Sequence, residues 1–122
     1  MYFAKWLGAE REVVLSLAAK SVTNPIALEI TRSIGGIPAI TAATVILAGM
    51  MGQMIGFKLL SSSTVGPPTS QSIALGTASH AMGIASAMER SRKFAAYASL
   101  GLIFNGVLTA ILAPLLIPLL GI

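Results

Sequence analysis

The chain has 122 residues, 55% hydrophobic and 10% charged, with a formal net charge of +4, and its mean hydropathy is +0.85. An ordinary soluble domain carries about 25% charged residues, so the composition lacks a water-soluble surface and predicts an all-α, polytopic integral membrane protein with spanning and interrupted helices. The absence of cysteine excludes disulfides, thiolate metal sites and cysteine nucleophiles, the single histidine argues against a histidine-based zinc site, and scattered basic residues with 6% aromatics argue against nucleic acid as a partner.

Met1 to Ala9 sets Tyr2, Phe3, Trp6 and Leu7 beside Lys5. That mixture suits a membrane interface, as a short interfacial helix or the tail of a span. The next apolar run, Val13 to Ala19, follows Glu10-Arg11-Glu12 and is too short for a cleavable signal peptide. A first broken segment is expected over about residues 12–33. Its interruption is Lys20-Ser21-Val22-Thr23-Asn24-Pro25, where Pro25 removes an amide donor, disfavours helix at Asn24, and follows residues that compete for backbone hydrogen bonds. Helix resumes over Ile26 to Ser33, and Glu29 and Arg32, three residues apart, share a face and can pair.

Gly35-Gly36-Ile37-Pro38 reads as a turn and a fresh helix start. Residues 37–57 are uncharged and long enough to cross about 30 Å of hydrocarbon. Within them Ala48, Gly52 and Gly56 recur at four-residue spacing, with Gly49 beside them; such a stripe lets another helix approach closely. Ser61 to Ser70 is a loop by composition. A second broken segment is expected over about residues 71–88, interrupted by Gly76 and Gly83 with Thr77, Ser79 and His80 between them. Such backbone is tolerated at membrane depth only where it is buried in protein or lines a cavity. Glu89-Arg90-Ser91-Arg92-Lys93 is a basic loop, and about 94–120 is a second uncharged span with Asn105 near its middle. The positive-inside rule puts the basic loop in the cytoplasm. Lys58 lies outside if residues 71–88 cross and inside if they re-enter.

His80 stands in the charge-free stretch Leu59 to Met88, among small and hydroxylic residues. An ionisable group costs free energy in a bilayer unless it faces protein, water or a ligand. His80 suits a proton carrier or a hydrogen-bond donor to a solute; the plainer reading is a histidine satisfied between helices. Lys20 would neutralise a carboxylate or snorkel to the interface. Ser21, Thr23 and Asn24 would bind solute or cap the amides freed beside Pro25. Ser21-Val22-Thr23-Asn24 and Thr77-Ala78-Ser79-His80 share a hydroxyl-x-hydroxyl-polar pattern. Paired interrupted segments point to transporter binding sites, although serine and threonine are common enough here for a chance match. The substrate-binding set is thus Lys20, Ser21, Thr23, Asn24, Thr77, Ser79 and His80, and the breaking and packing set is Pro25, Gly35, Gly36, Gly52, Gly56, Gly76 and Gly83. Asn105 reads as a cross-helix hydrogen-bonding group. No nucleophile–base spacing, carboxylate pair or phosphate loop supports an enzyme, and no metal or cofactor is expected.

Lys20-Ser21-Val22-Thr23-Asn24-Pro25-Ile26-Ala27, Ser33-Ile34-Gly35-Gly36-Ile37-Pro38-Ala39 and Leu75-Gly76-Thr77-Ala78-Ser79-His80-Ala81-Met82-Gly83, in this order, resemble the membrane-protein family named for LrgB and CidB. The resemblance runs from about Leu7 to Leu120 and corresponds to the C-terminal half of the family's usual length, as in a truncated member, a gene fragment or half of a split protein. It departs from the family at Gly83-Ile84-Ala85-Ser86, where Gly-Thr-Ala-Arg is usual, in the Ser/Thr/Pro-rich loop before the histidine block, which is usually basic, and at Asn24, where threonine is common. The resemblance implies a single membrane domain in a bacterial inner membrane or plastid inner envelope. It implies a membrane partner of the LrgA/CidA type or a homo-oligomer. It also implies transport of a small monocarboxylate of the glycolate, glycerate or pyruvate class, or antiholin-like modulation of murein hydrolase export and autolysis through membrane oligomers; the half-length match leaves a third reading, a fragment with no function of its own.

Overall fold

A computed structural model of the chain describes residues 1–63 and 66–122; Thr64 and Val65, part of the expected Ser61–Ser70 loop, lie outside the described residues. The described residues are all-helical: α1 (Tyr2–Trp6), α2 (Arg11–Ser16), α3 (Asn24–Ile34), α4 (Pro38–Ser62), α5 (Pro68–Met88) and α6 (Arg92–Leu119). Among the described residues, α4 and α6 are the helices both long and apolar enough to cross a membrane. At 25 and 28 residues they measure about 37 and 42 Å at 1.5 Å per residue. Proline opens α3, α4 and α5, where its missing N–H costs no helical bond.

Contacts along α6 reveal the topology. Near its C-terminal end, Ile117 packs with Val14, Leu15 and Ile34, and Arg11 donates to Ile122 O at 3.2 Å. Its midpoint residue Asn105 donates to Ser21 O at 2.7 Å. Residues 11–34 therefore run from that end of α6 to its middle and return. The turn at the tip is an extended Thr23 at the start of α3, and Gly35, with φ 80°, closes α3 in a left-handed conformation that glycine adopts without steric penalty.

The second hairpin enters from the other end. Phe57, Leu75, Ala87 and Ala98 form one apolar cluster, and the Arg90 guanidinium lies 4.3 Å above the Phe57 ring. Outward from this base, Leu75 and then Ser79 meet Gly56 and Gly52 of α4, and after His80 the chain returns past Gly49 at Met82 to Gln53, whose carbonyl accepts from Ser86 Oγ at 3.4 Å. α5 is thus two half-helices folded back at His80, whose φ/ψ of 45°/−133° is the one non-helical backbone within it. The sequence reading placed the interruption at Gly76 and Gly83. Both glycines lie within the half-helices instead, as contact surfaces: Gly76 against the Ala98 backbone and Gly83 against the Leu75 carbonyl of the opposite arm.

This reversal puts the C-terminal end of α4, with Lys58, at the same end of the molecule as Arg90, Arg92 and Lys93. It also assigns the glycine stripe: Gly52 and Gly56 receive Ser79 and Leu75 of the same chain.

Candidate functional site: two hairpin tips at mid-span

The first hairpin is fastened by hydroxyls. Ser16, Thr31 and Thr41 are fully buried. Ser16 Oγ donates to Glu12 O at 2.6 Å and accepts from Ile37 N at 2.6 Å. Thr41 Oγ1 donates to Ser16 O at 2.8 Å, which commits its proton, so Thr31 Oγ1 must be the donor in its 2.8 Å contact with Thr41. Gly36 packs on the Leu15–Ser16 backbone at this same place. The network ties α2, α3 and the start of α4 together with every hydroxyl partnered. The exposed Glu29–Arg32 pair forms on the outer face of α3.

At the tip of this hairpin, Lys20 is exposed, with Nζ 3.5 Å from Ser21 Oγ. Thr23 precedes α3 without a side-chain cap, so the opening amides of α3 are not taken by the residue that usually caps them. Asn24 Oδ1 is buried without a hydrogen-bond partner among the described residues.

At the second tip, His80 and Ser79 are buried. His80 Nε2 is 2.8 Å from Val45 O. A carbonyl only accepts, so Nε2 carries the proton in this bond. The imidazole can approach because residue 49 is glycine: a methyl there would strike the ring. Thr77 Oγ1 donates to Ile73 O at 2.8 Å. Ser79 borders a mainly apolar groove of about 300 Å³ between α4 and α5, lined also by Met51, Ile55, Leu75 and Ala78.

The tips meet twice. Asn105 Nδ2 donates to Ser21 O at 2.7 Å and to Thr77 O at 3.0 Å. On α4, the Val45 side chain packs with Val22, Ala27 and Ile30 of the first hairpin, while its carbonyl takes His80 of the second. Ser21 and Thr77 are therefore bridged through the Asn105 amide. His80 and Ser79 face α4, and Lys20 lies exposed beside Ser21. The sequence reading did not include Gly49 or Asn105 in the site; the legible signals were a glycine flanking the stripe and one amide in the middle of an otherwise apolar span.

The LrgB-like family model matches residues 1–119. The chain is 39% identical over 108 residues to an uncharacterized protein of Haemophilus influenzae, covering 88% of this chain and 47% of that protein. It is 38% identical over 118 residues to the antiholin-like protein LrgB of Bacillus mycoides, and equally to that of Bacillus cereus, covering 97% of this chain and 51% of each. The chain thus spans about half the length of the curated relatives it matches. No solved structure matches. With the family model matching nearly its whole length, the chain belongs to the LrgB-like family of membrane proteins.

Proposed function

We propose that this chain forms the solute-binding part of a carrier for a small monocarboxylate, with the anion held at the two hairpin tips. In this reading α4 and α6 cross the bilayer, and the hairpins re-enter from opposite faces and stop at mid-depth. Lys58, Arg90, Arg92 and Lys93 then share the cytoplasmic face. The observation that carries the reading is the meeting of both tips at Asn105, halfway along α6.

Each tip brings a helix N-terminus to that level: α3 starts at Asn24, and the returning arm of α5 starts after His80. Helix N-termini present unpaired amides and a partial positive charge, which favour a carboxylate, and half-helices aimed at mid-membrane do so in transporters. Lys20 adds a full charge at a depth where an unneutralised cation is costly; a bound anion offsets that cost. Asn24 Oδ1, without a partner among the described residues, needs a donor, and the hydroxyl of a 2-hydroxy acid is one. His80 positions the second tip through its bond to Val45 O.

The test is uptake of labelled glycolate, glycerate and pyruvate by liposomes containing the chain, with thermal stability measured against the same acids. Saturable uptake and specific stabilisation, both reduced in Lys20→Ala and Asn24→Ala, are expected. A well-folded chain that none of these acids stabilises would overturn the reading.

The antiholin-like name of the Bacillus relatives supports a second reading, modulation of the membrane through assembly. Because Gly52 packs on Ser79 of the same chain, its substitution affects site and assembly alike. The exposed α4 and α6 faces separate them: Met54→Ser and Phe104→Ser, at exposed positions, should disrupt assembly while leaving solute binding intact.

A further inference from the structure

We infer that Asn105 is a positioning residue that completes both broken helices at once and thereby couples the two hairpin tips. An asparagine amide has two N–H groups, and those of Asn105 go to different hairpins, to Ser21 O at 2.7 Å and Thr77 O at 3.0 Å. Both carbonyls only accept, so the amide nitrogen must face them. Thr109 Oγ1, 3.2 Å from Asn105 Oδ1, donates to the other end and fixes the orientation.

Each of these carbonyls is one that a break deprives of its helical partner. In a continuous helix Ser21 O would accept from the amide four residues on, but that residue is Pro25, which has none. The extended backbone at Thr23 also ends the helical phase there. Thr77 O would accept from Ala81, and the left-handed backbone at His80 turns Ala81 out of helical register. An unserved carbonyl away from water is costly. One side chain repairs both breaks. Ordering that side chain carries an entropy cost that is met once for two bonds, so either tip in place makes the other's bond easier to form, and release of one weakens the other.

The coupling stands on the hydrogen bonds alone. Its consequence for the solute site, that Asn105 sets the spacing between the tips, rests on the transport reading above. It also gives the paired hydroxyl-rich segments a common structural position: each is the tip of a hairpin, and the hairpins point in opposite directions, each followed by a long apolar helix.

Amide hydrogen exchange on the chain in nanodiscs tests the coupling. Asn105→Leu keeps the branched four-atom side-chain skeleton and removes both donors. It should speed exchange at residues 20–24 and at 78–82 together, by about 10-fold, while Ala95 to Gly101 of α6 keep their protection. Acceleration at one tip only, or at neither, overturns the inference. If the leucine variant does not fold, Asn105→Ser, which can donate one bond, should release one tip and retain the other; release of neither overturns it equally. For the solute arm, glycolate, glycerate or pyruvate should slow exchange at both tips of the parent chain, and Asn105→Leu should raise the half-saturating concentration for uptake. No solute effect on the parent counts against transport, and the coupling is still decided by the exchange pattern.

Discussion

The two hairpins reach the same level from opposite ends, but they are held in different ways. The first is fastened by hydrogen bonds: Ser16, Thr31 and Thr41 satisfy one another and the backbone at its base. The second is held by shape. Its arms lie against Gly52, Gly56, Ala98 and Gly101, with Gly76 facing the Ala98 carbonyl, and its specific polar contacts are His80 to Val45 O, Ser86 to Gln53 O and the shared Asn105 bond. A hydrogen-bonded base resists displacement because every donor would lose its partner. A glycine-lined fit resists enlargement, because a Cβ at Gly76 or Gly52 would strike the opposing element. The comparison separates a hairpin fastened by hydrogen bonds from one fastened by close packing.

The largest effect expected from this contrast is at Gly76. A Cβ there would meet the Ala98 backbone carbonyl, which cannot move without moving α6. Gly76→Val should destabilise the chain by about 3 kcal/mol, read as thermal unfolding in detergent. Near-parent stability would show that the second hairpin does not pack as described. A smaller loss is expected at the first hairpin. Thr41→Val removes the donor to Ser16 O and the acceptor of Thr31, and should cost about 2 kcal/mol, with faster exchange at Ser16 and Thr31 and little change at residues 78–82. Equal loosening of both hairpins would break the distinction between the two modes of attachment. The smallest effect concerns the reversal itself. His80→Ala and His80→Gly both lose the bond to Val45 O, but only glycine relieves the left-handed backbone. The glycine variant should be the more stable by about 1 kcal/mol, and the opposite order would contradict the backbone conformation at the tip.

What the sequence disclosed tracks this difference in physics. The first break was legible because proline and Gly-Gly act locally: Pro25 has no amide N–H to donate, and Gly35 takes a left-handed conformation for which glycine is preferred. The second was legible only as a region. Its glycines suggested the interruption, yet Gly76 and Gly83 are there for close packing, and the reversal falls on His80, a residue with no local preference for that backbone. Tertiary contacts with Gly49 and Val45 stabilise it, and these lie more than thirty residues away in sequence. The small-residue stripe on α4 was visible, but not its occupant; partner identity depends on topology, and the partner proved to be α5 of the same chain. Asn105 stood out as a polar group in an apolar span, but its bridging role follows only once both tips are placed beside it. The Ser16–Thr31–Thr41 network had no sequence signature, because buried hydroxyls and exposed ones look alike in composition.

The measurement that tests the central claim most directly is sidedness. The chain contains no cysteine, so single cysteines report cleanly on access to a membrane-impermeant maleimide in sealed vesicles. Opposed hairpins predict that Lys58→Cys and Glu89→Cys are labelled from one face and Ser33→Cys, at the base of the first hairpin, from the other. Labelling of Lys58→Cys and Glu89→Cys from opposite faces would mean that α5 crosses the membrane, and would contradict the account.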